Sequence, residues 1–489
     1  MTILKNLVNT CKSCGITLQS TNKLLPGFLP LIKHKAYQKS EDVVFNKYIS
    51  KLNPEDLSLL NYDKKLIPHH HKDAQEAKEC LRCRDIKYKN KFTEETNITP
   101  EFPEIKLHKV IYVISAVEFP LNLNRHYLNS ESMVVVNKMD MLVADAKKLD
   151  SITFFKSYLH KNYGVKPENV FLVSCNKMFG INRLYQHLSA QATIQDYQLV
   201  GDINSGKSSL ISSLMYQQKA DFRISPSKFK LSNGPGISDF PGFTRNLINF
   251  NLEKFQINDS PGFNQFSLPD FHNFKNVFKG VKMYKSGLYN HKYVGINGPH
   301  ILSFAGVFYI KFPQGVFQYK NLINIQPIRV SNLDKLKQWQ ETYDTNNSLK
   351  HQHLIPPTTD LKKYVVPPFN GKIDLVVKNF GYLEITPTGK KSNDLIEIYL
   401  PSHLNVDIII RKPLVKFIYK SLSGIDKYGN PLKRENLFKS TKTVTEYDGS
   451  LFHSRLIPVN GDNFQAIKEF TGKDYNHDSE VKNGNYWIG

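Results

Sequence analysis

Residues 197–210 read Tyr-Gln-Leu-Val-Gly-Asp-Ile-Asn-Ser-Gly-Lys-Ser-Ser-Leu. A short apolar strand ends at Val200, a turn built on Gly201 and Gly206 follows, and an apolar helical run (Leu210, Ile211, Leu214, Met215) comes next. The spacing G-x4-G-K-S is that of a phosphate-cradling loop set between a strand and a helix. Gly201 and Gly206 permit a tight turn that brings backbone N–H groups to an anion. Asn204, Ser205 and Ser209 belong to the same loop and are expected at the nucleotide with them. Lys207 offers a positive charge to β- and γ-phosphates, and Ser208 a hydroxyl to Mg2+. The helix that begins near Ser208 aims the positive end of its dipole at the same point. The plain alternative is a glycine-rich turn carrying a lysine by chance; the strand before and the helix after weigh against it.

Outward from the loop, the chain supplies four further elements. Downstream, Pro241-Gly242-Phe243-Thr244-Arg245 precedes a strand over 247–252, which makes Thr244 a switch threonine able to reach Mg2+ when a γ-phosphate is bound. Ile257-Asn258-Asp259-Ser260-Pro261-Gly262 is a D-x-P-G element. Asp259 can hold Mg2+ through water, and the Gly262 N–H can meet the γ-phosphate. Upstream, apolar strands are expected over 109–114 and 133–136, and the second runs into Asn137-Lys138-Met139-Asp140, an N-K-x-D. The Asp140 carboxylate can accept both N1–H and the 2-amino group of guanine, Asn137 can bond the base N7 and bridge to the glycine-rich loop, and the Lys138 stem can cover the base. A helix over 151–163 and a strand over 169–173 lead to Ser174-Cys175-Asn176-Lys177, a loop that can present backbone N–H to the guanine O6. Cys175 itself reads as a small buried residue without reactivity. Motifs at the ends of strands are where open α/β sheets bind ligands.

The five cysteines are Cys11, Cys14, Cys80, Cys83 and Cys175. Four form two C-x2-C pairs, which in a chain of this size without a secretory signal argues for a tetrahedral Zn2+ site rather than disulfides. The alternatives are four ordinary buried thiols, or ligands drawn from His69, His70 and His71 in the charged stretch between the pairs. With 489 residues the chain exceeds one hydrophobic core. Three parts are expected: a zinc module with a charged insertion over 1–98, a nucleotide-binding α/β part over 99–305, and an α+β or β-rich binding part over 306–489. The net charge of +21 favours a polyanionic partner, RNA above others. No apolar run approaches the roughly 18 residues of a membrane span. The first acid is Glu41, after six lysines, an acid-poor start compatible with mitochondrial targeting.

The five nucleotide elements stand in permuted order: the guanine-reading pair first, then the phosphate loop, Thr244 and D-S-P-G. In this the chain resembles a circularly permuted GTPase. With C-K-S-C-G over 11–15 and C-L-R-C over 80–83, it resembles the YqeH type, which includes mitochondrial relatives. The resemblance implies GTP binding, slow hydrolysis to GDP, affinity for ribosomal RNA and assistance to small ribosomal subunit assembly, by a protein expected to be a monomer in the matrix, with inner-membrane association left open. Phe263 stands where many GTPases place the glutamine that orients water. Asn204 matches the asparagine of potassium-stimulated members, so K+ is expected to speed hydrolysis with Lys207, Thr244 and Asn204 as the catalytic set; its other reading is a turn residue that tolerates the left-handed region. After its first strand this chain has Ser115-Ala116-Val117-Glu118-Phe119-Pro120 in place of the family's Asp-rich segment. Two other functions fit the same residues: a nucleotide-bound RNA-binding scaffold, or a peripheral membrane-linked mitochondrial regulator.

Overall fold

Lys109–Ser115 (β1) is apolar at nearly every position because both of its faces are covered, the usual state of a central parallel strand. Ile111 and Val113 face one apolar cluster, and Tyr112 and Ile114 face another, as the two-residue period of a strand requires. In the computed structural model, residues 10–29, 79–89, 105, 109–143, 149, 152–191, 193–219, 234–237, 242–263, 277, 292–323, 325–369, 371–388, 394–418, 447, 449 and 452–471 are described. The chain divides into two units, Met1–Glu95 and Thr96–Gly489.

In the first unit, the bridge Thr10↔Thr17 and the bridge Gln19↔Phe28 shape a small knuckle, and Leu81–Lys89 forms helix α1. The expected charged segment with His69, His70 and His71 lies outside the described residues.

In the second unit β1 is flanked by Met133–Asn137 (β2) and Val170–Leu172 (β3) on one side. Gln195–Val200 (β4), Ile248–Leu252 (β5) and Phe255–Asp259 (β6) lie on the other. The order is β3-β2-β1-β4-β6-β5, parallel throughout except for the antiparallel edge β5. Phe154–Tyr163 (α2) packs on the Tyr112 face, and Ile181–Ser189 (α3) and Lys207–Lys219 (α4) on the Ile111 face. The expected strands and helices are all present, with ends shifted by a few residues, as fraying and capping commonly produce.

The rest is β-rich. Its strands are Val294–Asn297 (β7), His300–Phe304 (β8), Phe308–Phe312 (β9), Val316–Asn321 (β10), Ile328–Val330 (β11), Leu361–Val365 (β12) and Ile373–Val377 (β13). Gly381–Pro387 (β14), Glu397–Pro401 (β15), Ile408–Arg411 (β16), His453–Arg455 (β17) and Ile457–Pro458 (β18) follow. Short helices Asp334–Thr342 (α5), Asn347–Gln352 (α6), Val415–Ile418 (α7) and Asn463–Thr471 (α8) connect or flank them. Two sheets result, β17-β16-β13-β14-β10-β7 and β11-β8-β9-β15-β12-β18, and every pair in them is antiparallel. β7 and β8 already belong to these sheets, although the sequence reading starts the binding part at 306.

The runs 396–400 and 406–411 flank a turn at 401–403, and the strands there do not pair with each other. β15 joins β12 and β9, whereas β16 joins β13 and β17. The connection over 402–407 is longer than the two-residue link of a tight hairpin and carries the chain from one sheet to the other.

The segment that departs from the expected Asp-rich pattern docks the two parts of this unit together. Phe119 packs edge-on against Phe155 at 5.0 Å and Tyr158 at 4.9 Å, and also meets Phe452 from the C-terminal part. The buried Arg411 guanidinium donates to the Phe119 carbonyl and to Asp374 (3.0 Å) and lies 4.5 Å over the Tyr382 ring. Aromatic edge-to-face packing and a charge-assisted hydrogen bond together give this seam a defined geometry.

Candidate functional site

The glycine-rich loop sits where the C-terminal ends of β4, β6, β1 and β2 converge. Its close approach to neighbours explains its glycines. A Cβ at Gly201 would lie 2.2 Å from the Val113 carbonyl oxygen, and one at Gly206 would lie 2.2 Å from Asn137 Nδ2. Asn204 is left-handed at φ 57, so its turn role is directly visible.

Lys207 is buried and folds back on the loop, donating to the carbonyls of Gly201 and Asp202 at 3.0 Å each. Burial lowers its pKa, against the raising effect of Asp259 and Asp202. Ser208 Oγ donates to Asp259 Oδ2 at 2.6 Å, and Thr244 Oγ1 donates to the same oxygen at 3.2 Å. Asp259 is fully buried; burial raises its carboxyl above the usual range although Lys207, Ser208 and Thr244 pull the other way. Its second oxygen, Oδ1, has no hydrogen-bond partner among the described residues. Two hydroxyls on one oxygen of a carboxylate whose other oxygen is orphaned make a set of hard oxygen donors of the type Mg2+ takes. A pocket opens beside them, lined by Asn204, Lys207, Ser208, Ser209, Thr244 and Gly262.

The second cluster adjoins the first. Asn137, at the end of β2, donates through Nδ2 to the Ser205 carbonyl at 3.0 Å and accepts through Oδ1 from the backbone N–H of Lys138 (2.8 Å) and Cys175 (3.3 Å). Thus one side chain ties the N-K-x-D segment, the Ser174–Lys177 loop and the glycine-rich loop together. Asp140 Oδ1 accepts from Ser174 Oγ at 2.7 Å, and its Oδ2 from Asn176 Nδ2 at 3.3 Å. Lys138 is left-handed at φ 63 and half-buried. The Ser213 hydroxyl of α4 donates to the Cys175 carbonyl at 3.2 Å, fixing this loop from below. Cys175 is half-buried rather than buried, and desolvation of its thiol pushes the pKa up to about 12, which keeps it protonated at neutral pH.

Phe263 lies in the core, stacked on Tyr127 at 5.0 Å.

Sequence reasoning missed Asp202, Glu118 and Lys378. Asp202 Oδ2 lies 3.8 Å from Lys378 Nζ, which reaches the loop from the turn between β13 and β14. Glu118 Oε2 accepts from the backbone N–H of Asn379 in the same turn at 3.2 Å. The signals in the sequence were slight: Glu118 is the one charge in the stretch 115–120, and Asp202 is the one acid in the glycine-rich loop.

In the first unit Cys11, Cys14, Cys80 and Cys83 are all buried, and their sulfurs lie within 4.8 Å of one another. Cys11 Sγ is 3.8 Å from Cys83 Sγ, and Cys14 Sγ is 3.9 Å from Cys80 Sγ. A tetrahedral Zn–S distance of about 2.3 Å requires sulfur separations of about 3.8 Å, so the cluster fits Zn2+. Gly15, left-handed at φ 77, closes the first knuckle with its N–H on the Cys11 carbonyl at 2.8 Å. Cys80 and Cys83 sit at the start of α1, where the helix dipole favours thiolate.

Among the described residues no helix is long and apolar enough to cross a membrane. Two family models match the chain: "Genetic interactor of prohibitins 3 N-terminal domain" over residues 10–97 and "Genetic interactor of prohibitins 3, C-terminal domain" over residues 291–485. The protein called "Genetic interactor of prohibitins 3, mitochondrial" in Debaryomyces hansenii is 34% identical, over 100% of this chain and 95% of the relative. The Clavispora lusitaniae protein of that name is 31% identical over 93% of this chain and 84% of its own length, and the Candida albicans (strain SC5314) protein is 27% identical over 97% and 91%. With that similarity running from end to end, the chain belongs to the mitochondrial genetic interactor of prohibitins 3 family.

Proposed function

We propose that this mitochondrial protein is a GTP-binding switch that slowly hydrolyses GTP to GDP, binds ribosomal RNA and assists assembly of the small ribosomal subunit. The observation that carries the nucleotide part is the convergence of Ser208, Thr244 and Asp259 beside Lys207, with Asn137 joining that corner to Asp140 and Ser174. Lys207 exchanges its carbonyl partners for phosphate oxygens. Asp140 selects guanine, and the orphaned Asp259 oxygen would be one of the groups that hold a cation. Mg2+, held by Ser208, Thr244 and Asp259, would offset phosphate charge. Because Phe263 is committed to the core, no side chain at that position orients the attacking water, consistent with slow turnover, and Asn204 is the residue through which K+ would act. The RNA part rests on the charge of +21 and on the resemblance of the motifs.

The deciding experiment is competition of GTP and ATP for the purified protein, repeated on Asp140→Ala. Expected is strong preference for GTP, lost in the variant; equal competition by ATP in the wild type defeats the guanine assignment. Sedimentation from gently lysed mitochondria, with GDP or a non-hydrolysable GTP analogue, tests the ribosomal part. Co-migration with small-subunit particles, stronger with the analogue, is expected, and migration as free protein in both overturns it. Metal analysis should give one zinc per chain, lost in Cys83→Ser; a structural Zn2+ of this kind is worth about 10–16 kcal/mol of apparent binding at neutral pH.

A further inference from the structure

The charged contact between the glycine-rich loop and the C-terminal sheet has no place in the reading above. Asp202 and Lys378 are both nearly fully buried, each side chain 8% exposed, with 3.8 Å between Oδ2 and Nζ. Burial pushes the Asp202 carboxyl up to about 6, against the lowering effect of Lys378, so at neutral pH it carries a charge that needs a counter-charge. Its Oδ2 has no hydrogen-bond partner among the described residues and is left to the lysine.

The turn that delivers Lys378 is rigid for reasons outside the loop. The Lys378 N–H donates to the Asp407 carbonyl at 3.0 Å, and the Phe380 N–H to Val377 at 3.1 Å. Gly381 is left-handed at φ 119, and a Cβ there would lie 2.3 Å from the Leu322 carbonyl oxygen. The neighbouring Asn379 N–H is anchored on Glu118, which follows β1. Three segments distant in sequence therefore meet at the loop's second residue.

We propose that Lys378 is a positioning residue for the nucleotide site, and that the Asp202–Lys378 pair couples the glycine-rich loop to the C-terminal sheet. This rests on the nucleotide reading above. Lys378 offsets the buried charge of Asp202 at the second residue of the loop and so holds the loop against the sheet. It also ties loop conformation to the position of the β13–β14 turn. By reciprocity, whatever nucleotide gains from the turn, the docking of the turn gains from nucleotide.

The test is titration of the full-length protein with a fluorescent GTP analogue, with thermal unfolding measured alongside. Lys378→Gln should bind about tenfold more weakly and Lys378→Arg should restore affinity. Asp202→Asn should lose a similar factor, and Lys378→Gln with Asp202→Asn should lose no more than either single variant, because the pair is already broken. Wild-type affinity in Lys378→Gln or in Asp202→Asn overturns the proposal, as do losses that multiply in the double variant. The Asp202→Asn arm stands even if Lys378→Gln fails to fold. A melting temperature that falls in step with affinity in both Lys378→Gln and Lys378→Arg would reduce the pair to a packing role and also overturn it. If the wild type binds no nucleotide while remaining folded, the nucleotide reading falls too; if the wild type binds and only Lys207→Ala loses binding, the coupling alone falls.

Discussion

Glu397 and Asp259 are both carboxylates at strand ends of a sheet, both are buried, and they are kept in opposite ways. Glu397 in β15 has four partners: Lys311 at 2.9 Å, Lys363 at 2.8 Å, Asn463 at 2.9 Å and the Tyr399 hydroxyl at 2.7 Å. Burial alone would raise its pKa, but these partners outweigh burial and hold the carboxyl at about 2. Asp259 at the end of β6 has Ser208 and Thr244 on one oxygen and, among the described residues, no partner on the other, and burial wins. A buried charge that its own chain satisfies is scaffold. A buried charge left short of a partner is costly, and the cost makes sense where a cation is to be bound.

The comparison breaks most sharply at Asp259→Asn. Removing a contact to a charged group, about 3 kcal/mol, should weaken Mg2+-dependent binding of a GTP analogue about 100-fold. The same variant should be more stable to urea than the wild type by about 1 kcal/mol, as is common when a strained functional charge is removed. A variant both unstable and unable to bind would place Asp259 with Glu397 as scaffold.

Glu397→Gln should do the reverse: nucleotide affinity unchanged and stability lower by about 1–2 kcal/mol. This is below the usual cost of breaking a buried pair, because the Lys311 and Lys363 side chains are 42% and 27% exposed and partly screened. The pH dependence separates the two acids further. The Glu397 carboxyl is held below its ordinary value of 4.5, so its contribution is complete above that pH and fades as pH falls towards 2. The Asp259 carboxyl is raised, so its burden is present at neutral pH and eases on acidification. Denaturation curves between pH 7 and pH 3 should therefore show the advantage of wild type over Glu397→Gln shrinking below 4.5. The advantage of Asp259→Asn over wild type should shrink as well.

Those two acids also mark how far the sequence could be read. Asp259 was legible because D-x-P-G follows an apolar strand, and the strand end, Ser208 and Thr244 all come from short local patterns. Asn137 was legible for the same reason, down to its bridge to the glycine-rich loop, here made at Ser205. The four cysteines needed only their spacing. Glu397 was not legible: its partners come from residues 311, 363, 399 and 463, brought together by sheet pairing that no local pattern encodes. The same applies to the seam, where Phe119 meets Phe452, and to β15 and β16, which look like neighbours across a turn and lie in different sheets. Lys378 falls in this class as well. Its role depends on a turn of one sheet reaching the loop of another.

The smallest expected effect concerns Asn204, where the two readings of one residue can be separated. Its φ of 57 establishes a turn requirement, and asparagine is among the few residues other than glycine that meet it readily. A turn role and a potassium role therefore both predict asparagine, and the identity of the residue does not divide them. Asn204→Gly keeps the backbone conformation and removes only the carboxamide. If the side chain serves K+, hydrolysis in the variant should become equal in KCl and NaCl, while affinity for a GTP analogue changes less than threefold, about 0.6 kcal/mol. If the residue serves only the turn, the variant should keep whatever difference between K+ and Na+ the wild type shows. Equal rates in the two salts for the wild type would remove the potassium role altogether and leave Asn204 as the backbone device its φ already shows it to be.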